Sequence, residues 1–165
     1  MIISFVLALV SVVPAFFAWT ALHELAHFVV VYSMRRVTWV SFRLYPHRHP
    51  VLGWVWGSIE WDYDGPLFTP LEDAWISIAP RWLNLLAALG APFAAMVPRP
   101  YDGIVVVLVG AGLVDFAVGS IGSGAFSDLQ RASRGFGVSP WFLRLVGWSL
   151  VLGSGVATIV VIATR

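Results

Sequence analysis

His23-Glu24-Leu25-Ala26-His27 lies inside an apolar run that reaches from Ile2 to about Val31. On a helix, residues four apart share a face, one turn from each other. His23 and His27 can therefore each offer an imidazole nitrogen to one Zn²⁺, at roughly 2.0–2.1 Å. Glu24 sits about 100° round the helix from His23, placed to take a proton from water rather than to bind the metal. An ionisable group in hydrocarbon costs on the order of 2.5–3.5 kcal/mol, and such groups tend to be functional. The bland reading of the same residues is a pair of core histidines with an unrelated glutamate between them.

The rest of the composition fits a lipid environment. Of the 165 residues, 59% are hydrophobic and only 12% charged, and the mean hydropathy is +0.83; a soluble globule is more polar than this. The length is that of a single domain, 1–165. Nine Trp suit a chain with two membrane–water interfaces to anchor. The absence of Cys excludes disulfides and thiolate ligands, so His and carboxylate must hold any metal. A net charge of +1 offers no bulk basic surface for nucleic acid.

Outward from the motif, the chain reads as an all-α polytopic membrane protein with about four transmembrane helices. The expected spans are 2–34, 73–97, 104–128 and 141–164, with an interfacial loop over 35–72. No Lys or Arg precedes Arg35, so the basic start of a signal peptide is missing and the first segment is expected to be a retained span. Pro14 is expected to kink it or to end a short leading piece. Residues 37–44 and 55–61 are β-branched and aromatic and predict two short strands, or a hairpin, at the membrane surface. His47 and His49, between Pro46 and Pro50, are expected to be solvated. Leu71-Glu72-Asp73 opens the second span with carboxylates that its dipole favours. Arg81 within that span is expected either to snorkel to the interface or to pair with a buried carboxylate. Gly119-Ser120-Ile121-Gly122-Ser123-Gly124 is poor in helix formers and predicts close helix approach or a polar cavity wall.

The arginines orient these spans. Arg35, Arg36, Arg43 and Arg48 fall in the first loop, and Arg131, Arg134 and Arg144 flank the third span, against Arg99 and Arg165 on the other side. The positive-inside rule then places both long loops in the cytoplasm and both termini outside. His23 and His27 lie toward the cytoplasmic end of the first helix, with Asp128 at the same end of the third. A catalytic zinc usually keeps three protein ligands, and the carboxylates free to be the third are Asp128, which matches the histidines in depth, and Asp115, nearer mid-span.

With these residues in place, the chain resembles the site-2 protease family of intramembrane zinc metalloproteases. That family carries HExxH on one transmembrane helix and an aspartate ligand on a later one, in a motif close to NLLPxPxLDG. Ser120 to Asp128 has the same length, with Asp128 in the aspartate's place and Arg131 where the family often has arginine. The family's asparagine, prolines and following glycine are absent here. The family's second core helix often carries an alanine-glycine-proline segment with an asparagine three residues after the proline. Here Ala79-Pro80 is followed by Asn84, one residue later, which the resemblance makes a candidate to hold substrate.

The resemblance implies hydrolysis of a peptide bond in or near a transmembrane segment of a membrane-protein or peptide substrate. Zn²⁺ would be held by His23, His27 and Asp128, or Asp115 in its place, with Glu24 as the base. A substrate helix satisfies its own amides and must unwind before attack, and Ser58, Ile59 and Glu60 are candidates to hold the unwound peptide by strand addition. Two competing functions are a non-catalytic binding or regulatory membrane protein on the same scaffold and a membrane metalloenzyme of other chemistry. The glycine-rich faces of the last two spans suit packing within one chain or between two, which leaves the oligomeric state open.

Overall fold

The structure is a computed structural model and describes residues 2–50, 53–98, 101–121 and 127–164. In chain order the elements are α1 (Ile2–Met34), β1 (Arg36–Arg43), β2 (His47–His49), β3 (Gly53–Val55), β4 (Ser58–Asp64), α2 (Pro70–Ala94), α3 (Asp102–Ile121), α4 (Asp128–Phe136) and α5 (Pro140–Ala163). α1, α3 and α5 are long and apolar enough to cross a membrane. Many of their large side chains are exposed, among them Phe5, Leu9 and Val10 on α1, Leu108 on α3, and Leu145 and Leu152 on α5. The helix α1 runs through Pro14 without a break, and at about 1.5 Å per residue it is roughly 50 Å long.

The second expected span differs from the other three. α2 does not share their apolar character, because it carries Glu72, Asp73, Arg81 and Asn84. The physical reason is its place in the bundle. α2 packs against α1, α3, α4 and α5, so its neighbours are protein on most sides, and Ser77, Arg81 and Asn84 are buried among them. Its start is well defined. Thr69 and Glu72 form a reciprocal capping box with Pro70 in the first turn, and Arg35 Nη1 reaches Glu72 Oε1 at 2.9 Å, tying the end of α1 to the start of α2. In this polar turn, the Thr69 backbone N–H and then the Arg35 guanidinium hold the Glu72 carboxyl below the usual carboxylate range.

The loop 35–72 contains both expected strands and two more. β1 and β4 pair antiparallel, from Arg43↔Ser58 to Arg36↔Asp64, with an irregularity between Val37 and Trp39. Between them β2 pairs with β3, His47↔Val55 to His49↔Gly53, so His47 and His49 lie in a strand rather than in an irregular loop. Arg36 stands at the start of β1.

The third span also needs correction. The sequence reading runs it to 128, but α3 ends at Ile121 and Asp128 opens a separate short helix, α4. Ser127 stands at the N-cap, and Gly137 closes α4 in the left-handed region at φ 66°, with the Val138 N–H donating to the Ser133 carbonyl at 3.0 Å. That is a Schellman-type stop, which glycine makes without steric cost. α4 is strongly amphipathic; it buries Leu129, Ala132 and Ser133 and packs mainly on α2.

Candidate metal centre

Two elements, α1 and α4, bring their side chains to one point. The four-residue spacing on α1 sets the His23 and His27 rings edge to face, with centroids 5.2 Å apart. His27 Nδ1 lies 2.7 Å from the Ile76 carbonyl of α2. A carbonyl only accepts, so Nδ1 carries the proton and Nε2 is left with a lone pair. His23 Nδ1 lies 3.1 Å from Asp115 Oδ2 on α3, and the same reasoning leaves its Nε2 as an acceptor. Both Nε2 atoms then face one oxygen, Asp128 Oδ2, at 3.5 Å from His23 and 3.6 Å from His27.

With Nδ1 protonated on both rings the three facing atoms are all acceptors, an arrangement that a proton or a divalent cation between them would satisfy. Ligand atoms about 2.1 Å from a tetrahedral zinc are about 3.4 Å from each other, close to the two distances observed. A proton shared between N and O would draw them to about 2.7–2.9 Å. The ligand atoms of His23, His27 and Asp128 all lie within 4.8 Å of one another, the group among the described residues that could hold a metal ion.

Asp128 reaches this point because α4 is fixed to α2. Arg131, one turn on, donates Nε–H to Asp73 Oδ2 at 3.1 Å, and its Nη2 is paired with Asp73 Oδ1. Asp115, the other candidate third ligand, is on the far side of the His23 ring, at Nδ1 rather than Nε2. It accepts Asn84 Nδ2–H at 2.9 Å and lies 3.8 Å from Arg81 Nη1. Of the two fates expected for Arg81, the guanidinium is buried and faces a carboxylate, although Asp115 itself is only half-buried.

Glu24 does not join the convergent acceptors. Its carboxylate accepts the backbone N–H of Ile59, so this edge of β4 faces the site. A cavity of about 460 Å³ is lined by His23, Glu24, His27, Asp128, Arg131 and His49 among others. A second, more apolar chamber of about 460 Å³ also borders His23 and Glu24, and it extends between α1 and α3 past Phe16, Trp19 and Val114 to Trp56. Glu24 stands where the two meet.

The remaining expected positions divide. Ile59 lines the cavity, but Ser58 is buried and its hydroxyl is engaged by His47 Nε2 at 2.9 Å. Glu60 pairs with Arg43 at 3.5 Å. Asn84 is buried to 1% exposure, and both ends of its amide are used inside the protein, since Trp19 Nε1–H donates to its Oδ1 at 3.2 Å. The expected polar wall over 119–124 is described only to Ile121; Gly119 lies against the Arg81 guanidinium and the Ser120 hydroxyl donates to the Phe116 carbonyl, while 122–124 lie outside the described residues. His49 was expected in solvent and instead lines the site; an isolated imidazole between prolines carries no signal of that, because the β2–β3 pairing places it.

Set beside known proteins, the chain matches no family model, no curated sequence and no solved structure.

Proposed function

We propose that the chain is a polytopic membrane protein and an intramembrane zinc metalloendopeptidase of the site-2 protease kind, cleaving peptide bonds in or next to transmembrane segments. The observation that carries this reading is the convergence of His23 Nε2, His27 Nε2 and Asp128 Oδ2 at tetrahedral-edge spacing, with Glu24 beside them in the same cavity. α1, α3 and α5 would cross the bilayer with their exposed apolar side chains in lipid, and α2 would cross sheltered by its neighbours. With both termini outside, the site would lie toward the cytoplasmic side.

His23, His27 and Asp128 would hold the ion, leaving a fourth position for water. A zinc ion there would supply a polarised water and a Lewis acid for the scissile carbonyl. Glu24 takes the proton as the water oxygen bonds to the carbonyl carbon, and passes it to the amide nitrogen as the C–N bond breaks. The Ile59 N–H is directed at the Glu24 carboxylate. It also sets the edge of β4 beside the base, where an unwound substrate segment could pair as an added strand. The apolar chamber on the other side of Glu24 suits the apolar side chains such a segment carries.

The test is to purify the protein in detergent, measure bound metal, and assay cleavage of single-span substrates with wild type and Glu24→Gln. Metal retained by both, with cleavage lost in the variant alone, is the expected result. Stoichiometric metal with no cleavage of any single-span substrate would refute the protease reading.

A further inference from the structure

A closed circuit of hydrogen bonds ties the metal-facing histidine to two other helices. Trp19 and His23 are four residues apart on α1 and so share a face. Trp19 Nε1–H donates to Asn84 Oδ1 at 3.2 Å, Asn84 Nδ2–H donates to Asp115 Oδ2 at 2.9 Å, and His23 Nδ1 returns to the same oxygen at 3.1 Å. The circuit crosses from α1 to α2 to α3 and back to α1. Arg81 adds a cation to it, with Nη1 at 3.8 Å from Asp115 Oδ2 and 3.4 Å from the Asp115 carbonyl. The Arg81 side chain is only 7% exposed.

The distances decide what the carboxylate serves. If Asp115 existed to neutralise Arg81, the guanidinium would be its nearest partner. His23 and Asn84 are nearer by 0.7 Å or more. The carboxylate is aimed at the imidazole, and the cation stands behind it as counter-charge in an apolar layer where a lone carboxylate would be costly.

We propose that Asp115 is a positioning residue for the metal centre: it holds His23 in the Nδ1–H form with Nε2 turned toward Asp128, and Asn84, Trp19 and Arg81 hold Asp115. The inference rests on the proposed metal-binding role of His23. A histidine ligand whose second nitrogen donates to a carboxylate is fixed in tautomer and ring orientation and becomes a better donor to the metal. His27 gets the equivalent hold from the Ile76 carbonyl, which the backbone supplies and no side-chain substitution removes. The side-chain contribution therefore falls on His23 alone, through Asp115.

The test uses the full-length protein in detergent, with zinc affinity read by chelator competition and the Nδ1–H of each histidine read by ¹⁵N NMR of the metal-free form, whether or not Nε2 is also protonated. Asp115→Ala is expected to keep one binding site per chain but to weaken zinc about 10–100-fold, and to lose the Nδ1–H signature of His23 while leaving that of His27. Asp115→Asn, whose amide oxygen can still accept Nδ1–H, is expected to restore the tautomer and most of the affinity. Asn84→Ala is expected to weaken zinc by a smaller factor, and it carries the comparison if Asp115→Ala does not fold. Wild-type affinity and tautomer in Asp115→Ala and Asn84→Ala would overturn the proposal. So would loss of stoichiometric zinc in Asp115→Asn to the extent seen in Asp128→Ala, which would make Asp115 a ligand. Full zinc binding by His23→Ala would instead remove the metal centre itself, a failure recognisable as separate from the other two.

Discussion

Replacing Gly119 by alanine sets two effects of opposite sign against each other. Within a helix, alanine is favoured over glycine by about 0.8–1.0 kcal/mol, so Gly119→Ala on α3 should stabilise the protein if only the local backbone matters. A methyl group built at Gly119, however, would overlap the Arg81 guanidinium. That group is the end of a long side chain, but it is buried between α2 and α3, so moving it aside disturbs the packing around it. Overpacking of this kind typically costs about 1–3 kcal/mol. The guanidinium can give way and its 3.8 Å separation from Asp115 is already long, which argues against the upper end. Net of the helix gain, Gly119→Ala should destabilise by about 1 kcal/mol. The assay is denaturant unfolding in detergent, run as a double-mutant cycle with Arg81→Met. In the Arg81→Met background the clash is gone, and Gly119→Ala should be neutral or stabilising by up to about 1 kcal/mol. A stabilising Gly119→Ala in the wild-type background, or effects that simply add, would refute the packing of Arg81 against α3.

Other consequences are equally direct. Glu24→Gln should retain zinc and lose cleavage by about 10²–10⁴-fold, the usual contribution of a general base; a chelator should abolish the residual activity and zinc should restore it. Ile59→Pro removes the N–H that the Glu24 carboxylate accepts and should lower cleavage at least about tenfold with zinc binding unchanged; an unaffected rate would exclude β4 from the reaction. Thr69→Ala removes the capping hydroxyl of α2 and should cost about 1 kcal/mol in thermal or denaturant unfolding. Because the Glu72 carboxyl is held below its ordinary value by Thr69 and Arg35, its contribution to stability is present above the unfolded-state pKa and is lost as pH falls through the lower folded-state value; an acid titration of stability should show this loss in wild type and not in Glu72→Gln.

Much of the site was legible from α1 alone. HExxH is a local pattern, and helix geometry fixes where its three polar side chains point whatever surrounds them. The strands were legible for the same reason, since β-branched and aromatic alternation is also local. α4 was missed although its signals are present: Ser127-Asp128 at one end and Gly137 at the other are ordinary start and stop residues, but nine amphipathic residues beside an apolar span read as its continuation. The choice between Asp128 and Asp115 could not be made from depth along a helix. Both aspartates reach His23, one at each ring nitrogen, and only the packing of α3 and α4 around α2 shows which nitrogen each one faces.

What the residues determined on their own was the kind of chemistry: an apolar chain, free of thiols, with two imidazoles and a glutamate on adjacent turns. What the tertiary structure alone decided was the allocation of roles. Asp128 became the group facing both Nε2 atoms because the Arg131–Asp73 pair docks α4 on α2. Asp115, Asn84 and Arg81 come together beside His23 because the face of α2 that carries Arg81 and Asn84 is packed against its neighbours, where their polar groups meet partners inside the protein. The physical reason is range: helix periodicity acts over one or two turns, whereas a ligand set is completed by contacts between residues about ninety to a hundred positions apart, which only the packing of whole helices brings within a few ångströms.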